Sequence, residues 1–165
     1  MTAASRGLAR RRHASAGASD FLVFRVAGSA HAMRVSVLRE IVKSARLTPV
    51  PRAPETVIGI TSFRGRVVTV LDLARCLGLG PSSRASSDAS GGQRARVLMV
   101  EVASEIVGFA VDEVLQVRRL GEEHVESAAV ALGPEAPAHF LGVARPGDAS
   151  QSETIVLLDP GALIP

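Results

Sequence analysis

Apolar residues along this chain come in short runs broken by glycine, proline and small polar residues, the pattern of strands and turns. Phe21 to Val26 is apolar apart from Arg25, Gly28-Ser29 breaks the run, and Ala30 to Val35 resumes it. Ser36 then opens one helical turn, and Glu40 to Leu47 reads as a further strand. Pro49, Pro51 and Pro54 forbid helix and dictate an extended, stiff crossing. Val57 to Ile60 and Val67 to Leu71 flank Ser62-Phe63-Arg64-Gly65-Arg66, a hairpin whose reversal Gly65 permits. Asp72 is placed to cap a short helix from Leu73 to Leu77, stopped by Gly78. Strands resume at Arg96 to Val102, Ile106 to Val111 and Val114 to Leu120. Residues 121–137, polar and then proline-rich, read as irregular. Phe140 to Ala144 and Thr154 to Leu158 are the last strands, and Asp159-Pro160 starts a final helical turn. About ten short strands with three helical snippets predict an all-β, barrel-like fold.

The two halves of the chain echo each other. Gly59-Ile60, then Arg64, then Val68 to Asp72 is matched by Gly142-Val143, then Arg145, then Ile155 to Asp159. Upstream, Val35-Ser36 with Leu38 and Ile41 is matched by Val111-Asp112 with Val114 and Val117. Features repeated in the same order predict two similar small β subdomains. The first spans residues 20–79 and the second 95–164. Residues 80–94, rich in Ser and Gly, are a linker by composition. Neither half can bury a large core alone, so apolar faces should pack between them.

Composition narrows the functional classes. The chain is 47% apolar and only 3% aromatic, so its core rests on Val, Leu, Ile and Ala. No apolar run reaches the ~18 residues of a membrane span. The net charge of +3 is local: Arg6, Arg10, Arg11 and Arg12 against Asp20 account for all of it, and residues 21–165 carry 15 basic and 15 acidic side chains. Residues 1–19 form a tail of Arg, Ala, Ser and Gly with too little apolar content to fold, predicted to be disordered. Its arginines could meet phosphates, which keeps a nucleic-acid-associated protein as an alternative of another class. The single Cys76 can make no internal disulfide, which suggests a reducing, cytoplasmic setting.

Catalytic constellations are not found. The strand ending at Asp72 resembles the magnesium-holding strand of nucleotide hydrolases, but the only lysine, Lys43, lies in no glycine-rich loop. His13, His31, His124 and His139 show no paired ligand spacing, so neither a metal nor a cofactor is expected. Cys76 reads as a small core residue ahead of a reactive thiol. That leaves Arg64, with nothing acidic beside it in sequence. Its planar fork on a rigid hairpin suits a carboxylate or a backbone carbonyl; the alternative is a solvated turn.

The ordered set of motifs resembles a known family. Arg64-Gly65-Arg66-Val67-Val68-Thr69-Val70-Leu71-Asp72-Leu73, preceded by Gly59 and followed by Leu77-Gly78-Leu79, is similar to the signature of CheW-type chemotaxis coupling proteins. Thr48-Pro49-Val50-Pro51 with Pro54, Gly108 with Val111-Asp112-Glu113-Val114, and Gly142-Val143 with Ile155 to Asp159 extend the resemblance over about residues 20 to 164. Ser62, Phe63 and Thr69 depart from the family's usual Asn, Leu and Pro. The resemblance implies two five-stranded β-barrels and a non-enzymatic adaptor linking the cytoplasmic tips of chemoreceptors to the regulatory domain of a CheA-type histidine kinase. A divergent relative that keeps the receptor and has lost the kinase is the runner-up. The resemblance also maps an interface onto Arg64, Gly59, Val37, Leu38 and Ser62, where Ser62 lacks the side-chain amide with which the family's usual Asn would brace the turn.

Overall fold

The computed structural model describes residues 17–43, 45–81, 95–147 and 153–164. Residues 82–94 of the expected linker and nearly all of the expected tail lie outside the described residues, except that the first strand begins at Ala18, paired with Gly121.

Among the described residues eleven strands follow in order: β1 Ala18–Val26, β2 Ser29–Arg34, β3 Leu38–Val42, β4 Val57–Phe63, β5 Arg66–Asp72, β6 Arg96–Val102, β7 Glu105–Val111, β8 Glu113–Gly121, β9 Val125–Ser127, β10 Phe140–Ala144 and β11 Ile155–Leu158. Two short helices, α1 Leu73–Cys76 and α2 Ala128–Leu132, and three 3-10 turns complete them. The strand expected over 40–47 instead starts at Leu38 and ends at Val42. Residues 121–137, expected to be irregular, contain β9 and α2, whose N-terminus is capped by the Ser127 hydroxyl accepting from Val130 N–H.

Three hairpins share one turn geometry. Ala27-Gly28, Arg64-Gly65 and Ala103-Ser104 all place both central residues at positive φ, the type I′ reversal that suits the twist of antiparallel strands. Only two of these six residues are glycine.

The strands form a six-stranded sheet, β8-β1-β2-β11-β10-β9, and a five-stranded sheet, β3-β6-β7-β5-β4. The fold class is therefore all-β as expected, but the sheets are not the two closed five-stranded barrels that the resemblance implied. Each sheet nevertheless curls. β8 and β9 sit at opposite edges of six strands, which if flat would be roughly 24 Å apart. Only the turn Glu122–His124 joins them, a reach of about 14 Å at most. In the five-stranded sheet the chain leaving β3 returns to β4 through a single antiparallel bridge, Thr48↔Ile60, with N–H···O distances of 2.8 and 2.9 Å.

The duplication is real in the structure, and the halves exchange strands. β1 and β2 of the first half lie in the six-stranded sheet with β8, β10 and β11 of the second. β6 and β7 of the second half lie in the five-stranded sheet with β3, β4 and β5 of the first. Registers agree between the copies: β5 joins β7 in parallel with Val70↔Gly108, and β11 joins β2 with Leu157↔Ala32. Bulges fall at matching places, between Val57 and Gly59 and between Phe140 and Gly142. The strands on either side of residues 82–94 are thus shared between both sheets.

Alternation along the exchanged strands explains the core. Leu22, Phe24, Leu98, Val100, Phe109 and Val111 point into one central cluster between the sheets. Their neighbours Phe21 and Val23 fill a cluster belonging to the six-stranded sheet, and Val97, Met99 and Ala110 fill one belonging to the five-stranded sheet. β1 and β6 are therefore buried on both faces, and the apolar packing expected between the halves is present.

Candidate functional site

Arg64 occupies the tip of the β4–β5 hairpin at φ +48°, a conformation in which a side chain other than Gly, Asn or Asp is uncommon. Its guanidinium lies 5.0 Å over the Phe63 ring and 3.3 Å from Glu40 Oε2 on β3. Phe63 is buried, whereas the Arg64 side chain is 67% exposed. The aromatic face and the carboxylate thus fix the direction of a guanidinium that still faces solvent. Glu40 is a component that the sequence reading missed: Arg64 has no acidic sequence neighbour, and only the curling of the five-stranded sheet, whose opposite edges are β3 and β4, brings this carboxylate across.

Beside the tip runs a groove of about 660 Å³ lined by residues of β3, the segment after it, and β4, including Glu40, Val42, Arg46, Thr48, Ser62 and Arg64, with Met99 also contributing. A second hollow of about 510 Å³ lies by Arg64, Arg66, Val67 and the β6–β7 turn. Val67, 74% exposed, presents an apolar side chain next to it. Apolar walls, a charged rim and a rigid hairpin suit the docking of another protein.

The predicted interface residues fall in three places. Arg64 and Ser62 meet at the groove. Val37 and Leu38 are half-buried and pack against the central core. Gly59 is buried, and a Cβ there would lie 2.6 Å from the Thr48 carbonyl oxygen. The repeat partner Gly142 would bring a Cβ to 2.3 Å from the Glu126 carbonyl oxygen. Both glycines let a neighbouring backbone close over the sheet edge, which gives Gly59 an architectural function. This alignment of Gly59 with Gly142 matches Ser62 with Arg145, two residues away from the correspondence of Arg64 with Arg145 read in the sequence.

Asp72 and Asp159 are caps in both copies, accepting from Ala74 N–H at 3.1 Å and Gly161 N–H at 3.0 Å. Burial, reinforced by the Asp72 carboxylate, pushes the Cys76 thiol up to about 11, the opposite of an activated nucleophile. Among the described residues no group of three or more His, Cys, Asp or Glu side chains is placed to hold a metal ion, and no helix is long and apolar enough to cross a membrane.

Comparison with known proteins adds the remaining facts. A family model described as the CheW-like domain matches residues 20–165. Protein FrzA of Myxococcus xanthus is 31% identical over 145 residues, covering 88% of this chain and 84% of that protein. A chemotaxis protein CheW of Rhizobium meliloti is 26% identical over 115 residues, 70% of each chain. The crystal structure of scaffolding protein TtCheW from Thermoanaerobacter tengcongensis superposes with a TM-score of 0.72 at 24% identity, covering 88% of this chain and 91% of that one.

Proposed function

The chain belongs to the CheW-like domain family, and on that premise we propose that it is a non-enzymatic adaptor in a chemotaxis or motility pathway, coupling chemoreceptors to a CheA-type histidine kinase. It works by binding alone, in the cytoplasm beside receptor arrays. One partner is the cytoplasmic tip of a chemoreceptor, and the other is the regulatory domain of the kinase. The observation that carries this reading is the hairpin tip: a solvent-facing guanidinium, aimed by Phe63 and Glu40 beside an apolar-walled groove, on a scaffold matched by the family from residue 20 onward. Such a group supplies direction and register, with apolar surface such as Val67 and the half-buried Val37 and Leu38 contributing area. Ser62 lies at the groove's wall, and Gly59 supports the strand that carries it.

Co-purification of the wild type and Arg64→Glu with a receptor tip and with a kinase regulatory domain tests the proposal. The wild type is expected to retain both partners. Arg64→Glu, which sets two carboxylates against each other at the tip, should weaken capture of at least one by about tenfold while keeping the fold. A wild-type chain that captures neither, where an established coupling protein captures both, would refute the adaptor reading.

A further inference from the structure

The internal repeat shows what fills one sheet edge and leaves its twin open. In the six-stranded sheet, β9 covers the edge of β10 with pairs Gly142↔Ser127, Val143↔Glu126 and Ala144↔Val125. One further bond continues the zip, Arg145 N–H donating to the His124 carbonyl at 3.1 Å. In the five-stranded sheet the same edge belongs to β4, and among the described residues it is covered only at Ile60 by Thr48. The position equivalent to Arg145 is Ser62, where the chain at Arg46 has diverged and makes no matching backbone bond.

Which groups are left open follows from alternation. Thr48 and Ile60 exchange both of their hydrogen bonds, so on this edge of β4 the outward-pointing backbone groups are those of Ile60 and Ser62. Thr61 and Phe63 turn theirs toward β5, across from Val68 and Arg66. The Ser62 N–H and C=O therefore open on the groove without a backbone partner among the described residues. On one side of this opening stands Arg46, exposed and with no carboxylate partner among the described residues; on the other stands Arg64, whose guanidinium lies 3.3 Å from Glu40 Oε2, so that an occupant's carboxylate there takes the place of Glu40.

We propose that this edge is a strand-addition site: a short, extended, acidic segment of a partner protein pairs with the Ser62 backbone and sets its carboxylates against Arg46 and Arg64. The molecule carries the template for such an occupant. Antiparallel to β10, the segment that seats His124 at Arg145 is preceded by Glu122 and Glu123. Transposed onto β4, those two carboxylates fall at the Phe63 and Arg64 end of the groove. The inference stands on the geometry of the two sheets, not on the coupling reading, so either can fail alone.

A labelled, end-blocked peptide of residues 121–125, which stops short of the position at Ile60 that Thr48 fills, is the probe, titrated against the full chain by fluorescence anisotropy. Saturable binding is expected. Ser62→Pro removes the donor while sparing the β4–β5 ladder, and should weaken binding by about tenfold. Ser62→Ala, which keeps the N–H, should bind as the wild type does. A peptide N-methylated at the residue corresponding to His124 should lose as much against the wild-type protein, a comparison independent of whether Ser62→Pro folds. Absence of saturable binding to the wild type, equal binding by the N-methylated peptide, or a loss in Ser62→Ala would overturn the proposal.

Discussion

Single residues here carry costs that the fold accepts. Ala103 and Ser104 sit at φ +49° and +69° in a turn that favours Asn-Gly, so the double substitution Ala103→Asn, Ser104→Gly should stabilise the protein by about 1 kcal/mol, read as a raised denaturation midpoint by circular dichroism. His31 is a second case. It is buried on the central face, nearly parallel to Phe24 at 6.4 Å, with Nδ1 3.0 Å from the Ser29 carbonyl. Desolvation lowers its pKa, and the Ser29 contact offsets only part of that shift. A depressed imidazole means that the unfolded chain binds the proton more readily, so stability present above the ordinary imidazole range is lost as pH falls through it. The melting temperature should drop between about pH 7.5 and about pH 5.5, and His31→Met should flatten that drop. An unchanged slope in the variant would assign the drop to other groups.

At the level of elements, closure of the five-stranded sheet depends on Gly59. A Cβ there must displace the Thr48 backbone, so Gly59→Ala should destabilise by about 1–3 kcal/mol and speed amide exchange at Thr48 and Ile60. The equivalent Gly142→Ala should behave alike against Glu126. Both hairpin strands around Arg64, the caps Asp72 and Asp159, and the existence of the repeat were legible in the sequence, because short-range chemistry determines each of them. β9 was not: three residues, Val125-Glu126-Ser127, carry too little pattern, and their strand character comes from β10. Nor was Glu40 as the partner of Arg64, since that contact needs the two edges of the five-stranded sheet, β3 and β4, to curl toward each other. The interface role proposed for Arg64 draws on its planar fork at a rigid hairpin and chiefly on the family signature, and the open edge at Ser62 emerges only by comparing the two copies in space.

For the whole molecule the decisive feature is the exchange of strands between halves. Because each sheet needs strands from both, fragments 17–81 and 95–164 should each fail to fold alone, giving featureless circular dichroism, and should regain the native spectrum when mixed. A fragment that folds cooperatively without the other would contradict the shared core. The intact chain should accordingly melt in one transition. Viewed from the half-chain, the same exchange describes a domain-swapped dimer: two copies of a five-strand unit trading their last three strands would build the same pair of sheets. The covalent connection between Pro81 and Ala95 then converts a concentration-dependent assembly into an intramolecular one, fixing the stoichiometry at one of each half. It also frees the two copies to diverge, and the closed edge on β10 and the open edge on β4 are what that freedom has produced.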